Sequence, residues 1–73
     1  MSRERRFGVD DLVEIVSYTP KLGRQRARPD LPGRLAQVRY AGGEWGSDDD
    51  PGYTVELGDG ERPAMVESEL RVP

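Results

Sequence analysis

Alternating apolar and polar residues recur in short runs along this chain, and they predict strands. In the clearest run, residues 52–57, the side chains of Tyr53, Val55 and Leu57 fall on one face of an extended backbone. An Asp59-Gly60 pair follows directly, and such a pair between two strand-like runs is a strong hairpin signal. Residues 52–57 and 62–66 are therefore predicted to form a β-hairpin.

Two earlier runs, residues 12–18 and 34–40, predict two more strands. Alternation assigns five residues of these runs to an inner face: Val13, Ile15, Ala36, Val38 and Tyr40. Three aliphatic residues remain for the outer face: Leu12, Val16 and Leu35. Because a sheet with apolar residues on both faces is usually buried on both, we expect the N-terminal arm or a loop to cover the outer residues.

The last third of the chain predicts the closure of a small barrel. Residues 62–66 carry Ala64 and Val66 inward, and Pro63 places this strand at an edge because proline cannot donate a ladder hydrogen bond. Residues 67–70 suit one turn of 3-10 helix with Leu70 as an apolar plug, and residues 71–72 add a fifth strand. We expect an all-β, five-stranded barrel with one short 3-10 turn. Residues 1–8 would form a flexible basic arm and residues 9–73 a single domain.

Composition narrows the possible functions. The chain has no Cys and no His, which excludes disulfides and thiolate metal sites and removes the commonest general base. A domain of this size buries only about 60% of its unfolded surface, so it has little room for a desolvated catalytic pocket. The chain contains no apolar run near the ~20 residues that span a bilayer, and its basic start precedes no apolar stretch. We expect a cytoplasmic protein that is not an enzyme and that holds no cofactor.

One acidic run, residues 48–50, is the only motif with the chemistry of a metal site. Three consecutive Asp carboxylates could collect a hard cation such as calcium, which prefers oxygen ligands. The run lacks the ligand spacing of a calcium loop and has no Glu at a fixed offset. The sequence therefore predicts no metal site here.

The long connection between the first two strands, residues 19–32, is rich in Arg and Pro. Arg24, Arg26 and Arg28 alternate, so an extended backbone would place all three on one side, as a phosphate backbone or an acidic partner requires. Chance produces the same spacing in an Arg-rich loop. The formal net charge of −3 also opposes broad nucleic-acid binding.

The order of these elements resembles that of the Src-homology-3-like small barrels. This broad group includes KOW and Tudor domains and the C-terminal barrel of the nitrile hydratase beta subunit. Four segments carry the resemblance: residues 11–15, 33–38, 53–57 and 66–70. The Arg- and Pro-containing residues 20–34 are also similar in character to the long first loop of the nitrile hydratase barrel. The resemblance implies an accessory or subunit-docking barrel and no catalysis by this chain.

The aromatic residues permit two interpretations. In Tudor-like domains, aromatic residues form a cage that binds methylated Lys or Arg by cation–π attraction, and Tyr40, Trp45 and Tyr53 lie where such a cage would form. Alternatively, the two Tyr cap the core and Trp45 folds over the barrel.

Together these features favour a non-enzymatic module that binds a protein or peptide. Six residues are predicted to contact the partner: Arg24, Arg26, Arg28, Tyr40, Trp45 and Tyr53. The alternative is a KOW-like nucleic-acid-binding domain that uses the basic arm, with Arg3, Arg5 and Arg6, and the Arg-rich loop. The sequence identifies neither the partner nor the oligomeric state.

Overall fold

The computed structural model describes residues 5–20, 24, 26–42, 46–47 and 49–73 of the chain. Within these residues the protein is all-β, with five antiparallel strands in one curled sheet that forms a half-barrel. The strands are β1 (Leu12–Ile15), β2 (Leu35–Tyr40), β3 (Gly52–Leu57), β4 (Ala64–Val66) and β5 (Leu70–Arg71). One 3-10 turn, Glu67–Glu69, joins β4 to β5. The predicted fold class and the predicted 3-10 turn are confirmed.

The strand order explains why the sheet curls. Its order is β4-β3-β2-β1-β5, so β4 and β5 lie at opposite edges although only three residues separate them in the chain. In a flat sheet those edges would lie about 19 Å apart, at ~4.8 Å per strand spacing. A three-residue 3-10 turn spans only about 6 Å. The sheet therefore has to bend its two edges toward each other, and β4 is the edge strand that Pro63 predicts.

The core lies on the concave face of the sheet. Val13 and Ile15 of β1 are fully buried, as predicted, and Leu70 is buried at the barrel end. The same cluster includes residues from three other strands: Ala36, Val38, Tyr53, Val55, Leu57 and Met65. Two members come from outside the sheet, namely Leu31 from the long connection and Phe7 from the N-terminal segment. The core thus begins before the predicted domain start at residue 9.

Two predicted inward positions are wrong. Tyr40 is 57% exposed, because the β2–β3 register shifts between Val38 and Tyr40 and pairs Tyr40 with Thr54. Such a β-bulge reverses the face on which later residues lie. In β4, Ala64 is exposed and Met65 is fully buried, since Met65 pairs with Tyr53 of the inner face. Val66 is buried, as expected.

Candidate docking surface

Tyr53, one of the six residues predicted to contact a partner, lies inside the protein. Its side chain is fully buried and its ring packs edge-on against Phe7, with ring centroids 5.7 Å apart. The hydroxyl donates a 2.8 Å hydrogen bond to the Glu67 carboxylate and accepts one from the Phe7 amide at 3.3 Å. The Arg5 guanidinium lies 5.1 Å from the Tyr53 ring centroid. Tyr53 therefore joins the N-terminal segment to the 3-10 turn and is closed to an external ligand.

Because Tyr53 is buried, the protein should become less stable at alkaline pH. The pKa of the Tyr53 phenol is raised, because burial disfavours the phenolate and because Glu67 accepts its hydrogen bond. As pH rises, the Tyr53 phenol ionises in the unfolded chain before it does so in the folded protein. Its contribution to the free energy of unfolding is therefore complete below about pH 10 and declines as pH rises above that value. Tyr53→Phe should remove this part of the decline. Thermal unfolding between about pH 8 and about pH 11 checks this, and equal alkaline losses in both proteins would contradict it.

Arg24 is likewise held within the protein. Its side chain is 9% exposed and forms a 2.7 Å ion pair with Glu69, which is 2% exposed. The second terminal nitrogen donates to the Ala64 carbonyl on β4, and the guanidinium stacks 3.9 Å from the Tyr18 ring centroid. Arg24 thus attaches the long connection to the sheet and covers a carbonyl at the β4 edge, which limits the pairing of that edge with another chain.

The two other arginines of the predicted basic face differ from each other. Arg28 forms paired hydrogen bonds with the carboxylates of Asp30 and Glu61. These bonds lower the pKa of both carboxyls and raise that of the guanidinium. Arg26 is exposed. The alternation of the three arginines therefore does not produce three guanidinium groups that face one ligand.

The next aromatic candidate, Tyr40, is the last residue of β2. Tyr40 is exposed, and its ring approaches Gly42, where an added Cβ would lie 3.3 Å from the ring. Trp45 is outside the described residues. Because Tyr53 is in the core, Tyr40 and Tyr53 do not line a common open cage.

The 3-10 turn contains two buried carboxylates that the sequence did not predict to be buried. Glu67 and Glu69 are each 2% exposed. Glu67 accepts hydrogen bonds from Tyr53 and from the Arg6 amide, and Glu69 accepts bonds from Arg24 and from the amides of Thr19 and Val66. These bonds compensate the cost of burying charge. Both carboxylates therefore tie segments distant in the chain to the 3-10 turn.

The outer face of the sheet carries an apolar site that the sequence analysis expected to be covered. Leu12 is 55% exposed and Leu35 is 52% exposed, so the expectation that the arm or a loop covers them is wrong. Leu12 pairs with Gln37 and Leu35 with Glu14, which makes the two leucines diagonal neighbours across β1 and β2. A cavity of 320 Å³ adjoins them and is here named the outer groove. It is lined by Leu12, Leu35, Ala36, Gln37, Glu56, Leu57, Gly58 and Gly60.

The charges around the outer groove are paired with one another. Glu56 accepts from Arg62 at 2.7 Å and from Arg39 at 3.3 Å, and both bonds lower the pKa of its carboxyl. Arg39 also lies 3.4 Å from Asp10. The neighbouring ion pairs are Arg34 with Asp59, at 3.6 Å, and Arg71 with Glu14, at 3.1 Å. This surface therefore offers apolar contact beside charges that already have partners.

Among the residues that the structure describes, no three carboxylates lie together as a metal site would require; Asp48 is not one of these residues. That same part of the chain includes no helix with the length and hydrophobicity to span a membrane. Comparison of the chain with protein-family models, with curated proteins and with solved structures finds no match.

Proposed function

We propose that this protein is a non-catalytic binding module that docks another protein on the outer groove. One observation carries the proposal: Leu12 and Leu35 are half-exposed neighbours that flank a cavity of 320 Å³ on the outer face of a small sheet. Exposed apolar residues that cluster beside a cavity are typical of interaction sites, whereas single exposed leucines are common on any surface.

The fold is compatible with the proposal without requiring it. Five antiparallel strands with a 3-10 turn before the last strand are compatible with a Src-homology-3-like barrel. Folds of this kind serve many unrelated functions, so the argument for binding rests on the outer groove. In the proposed module the buried carboxylates Glu67 and Glu69 serve the fold, since they accept hydrogen bonds from Tyr53 and Arg24.

Nucleic-acid binding is the second candidate, and the placement of the arginines weakens it. Such binding depends on cations that are free to neutralise phosphates. Arg24 and Arg28 are bound to carboxylates of the same chain, and Arg5 donates to the Gly52 carbonyl. Arg26 is the exposed member of the Arg-rich loop. We therefore expect weak affinity for a mixed-sequence oligonucleotide at ~150 mM salt.

A double variant of the groove tests the proposed function. Leu12→Thr with Leu35→Thr should abolish co-purification of the partner from native cells, because both apolar contacts are removed. The fold should survive, since both side chains are exposed and threonine suits strands. The matched control is Val9→Thr with Val72→Thr, which changes two exposed valines that do not line the groove.

The co-purification is measured by mass spectrometry after nuclease treatment of the lysate. A protein recovered with the wild type and with the valine variant, but absent with the leucine variant, would support the proposal. A partner that the leucine variant retains would contradict it. A partner lost from all samples on nuclease treatment would favour the nucleic-acid alternative.

A further inference from the structure

We infer that the outer groove receives one uncharged apolar side chain, aliphatic or aromatic, from a short segment of the partner protein. This inference rests on the proposed function and adds the chemistry of the ligand. It depends on the size of the groove, on the glycine residues in its wall and on the charges at its border.

The size of the site favours a short segment over a second copy of this chain. The cavity volume of 320 Å³ is at the small end of the ~300–1,000 Å³ that ligand pockets usually occupy. A stable interface between two folded proteins buries about 800 Å² on each partner. Leu12 and Leu35 are the two exposed apolar side chains that line the groove, and two half-exposed leucines supply far less area than that.

Two glycines leave one wall of the groove without side chains. Gly58 and Gly60 belong to the turn between β3 and β4, and a Cβ built on either would have no atom within 4 Å. The absence of side chains lets the main chain of a bound segment approach the turn closely. An apolar side chain of that segment would then pack against Leu12 and Leu35, which line the same groove.

The charges at the border disfavour a charged ligand. Glu56 is the one charged residue among those that line the groove, and both of its carboxylate oxygens accept from arginines. A cationic side chain that entered would lose hydration and would compete with Arg62 and Arg39 for this carboxylate, and an anionic one would lose hydration next to a carboxylate. An uncharged apolar side chain avoids that cost. Binding should therefore depend little on salt, because few charges are neutralised when the complex forms.

The experiment uses phage-displayed random peptides selected on the immobilised protein. We expect the selected peptides to share one Leu, Ile, Phe or Trp and to lack a common charge. Their affinity, measured by calorimetry, should change less than about twofold between ~50 mM and ~500 mM NaCl. Gly58→Val should weaken binding at least about tenfold by filling the groove. The fold should tolerate this change, because the Gly58 backbone is not left-handed and its surroundings are open.

Gly8→Val is the matched control, since Gly8 is exposed, lies outside the groove and has room for a Cβ. Three results would overturn the inference. The selected peptides could be charged and bind with steep salt dependence, or they could share no Leu, Ile, Phe or Trp. The third result is that Gly58→Val binds the peptides as well as the wild type does. Self-association that Gly58→Val abolishes would also overturn it, in favour of a second copy. Co-purification that depends on Leu12 and Leu35 would leave the proposed function intact in each case.

Discussion

Glu69→Ala is expected to destabilise the protein by about 3–5 kcal/mol, the usual cost of removing one partner from a buried ion pair. The Glu69 carboxylate is 2% exposed and accepts hydrogen bonds from Arg24 and from the amides of Thr19 and Val66. The substitution leaves a guanidinium with 9% exposure and two amides without this acceptor. Since small domains have total stabilities of only about 5–15 kcal/mol, this loss should be a large fraction of the free energy of unfolding.

Urea unfolding at neutral pH measures this effect. Glu14→Ala is the matched control, because Glu14 forms an ion pair with the exposed Arg71 and such pairs contribute about 1 kcal/mol or less. The double variant Arg24→Met with Glu69→Met should be more stable than Glu69→Ala, because it leaves no buried charge unpaired. Equal stability of Glu69→Ala and Glu14→Ala would show that the buried pair does not hold the long connection to the sheet.

Val55→Asp is expected to unfold the domain completely. Val55 is fully buried at the centre of β3, where it pairs with the equally buried Val38 of β2. An aspartate at this position would place a carboxylate among aliphatic side chains with no partner for its charge. The same substitution also removes apolar burial from a core that is small to begin with.

Thr54→Asp is the control for this prediction, because Thr54 is the neighbouring residue of β3 and faces outward opposite Tyr40 and Ala64. Amide proton dispersion in NMR spectra distinguishes the two proteins. We expect dispersed resonances for Thr54→Asp and collapsed resonances for Val55→Asp. A folded Val55→Asp would mean that the two faces of β3 have been exchanged.

The fold could be predicted because local patterns and topology agree. The alternation in residues 52–57 and the Asp59-Gly60 turn give β3 and its hairpin with β4, and the observed strand has those same bounds. Pro63 marks an edge strand through its missing donor, and β4 lies at the sheet edge. These features act within a few residues of the chain, so one sequence is enough to identify them.

The errors arise where contacts between distant segments decide the outcome. The bulge after Val38 turns Tyr40 outward, and no local sequence pattern predicts this bulge. Glu67 and Glu69 are buried because Tyr53 and Arg24 supply donors from 14 and 45 residues away. The alternation of apolar and polar residues by itself predicts that such carboxylates are exposed to solvent.

The docking surface also depends on contacts between distant segments, which local sequence patterns do not predict. Leu12 and Leu35 were correctly placed on the outer face, but alternation does not say whether another segment covers that face. Arg24 belonged to a plausible basic triad, and only the three-dimensional structure shows that it pairs with Glu69. Functional candidates chosen by residue type therefore included two side chains, Arg24 and Tyr53, that serve the fold.

Chemical-shift mapping of the bound protein tests the central claim most directly. Backbone amide resonances of the isotope-labelled protein are compared before and after addition of the partner recovered with the wild type. We predict that the largest changes occur at Leu12, Leu35, Gln37, Gly58 and Gly60, which line the outer groove. Changes concentrated instead at Arg26 and Tyr40, with the groove resonances unmoved, would contradict the claim that this protein binds its partner on the outer face of the sheet.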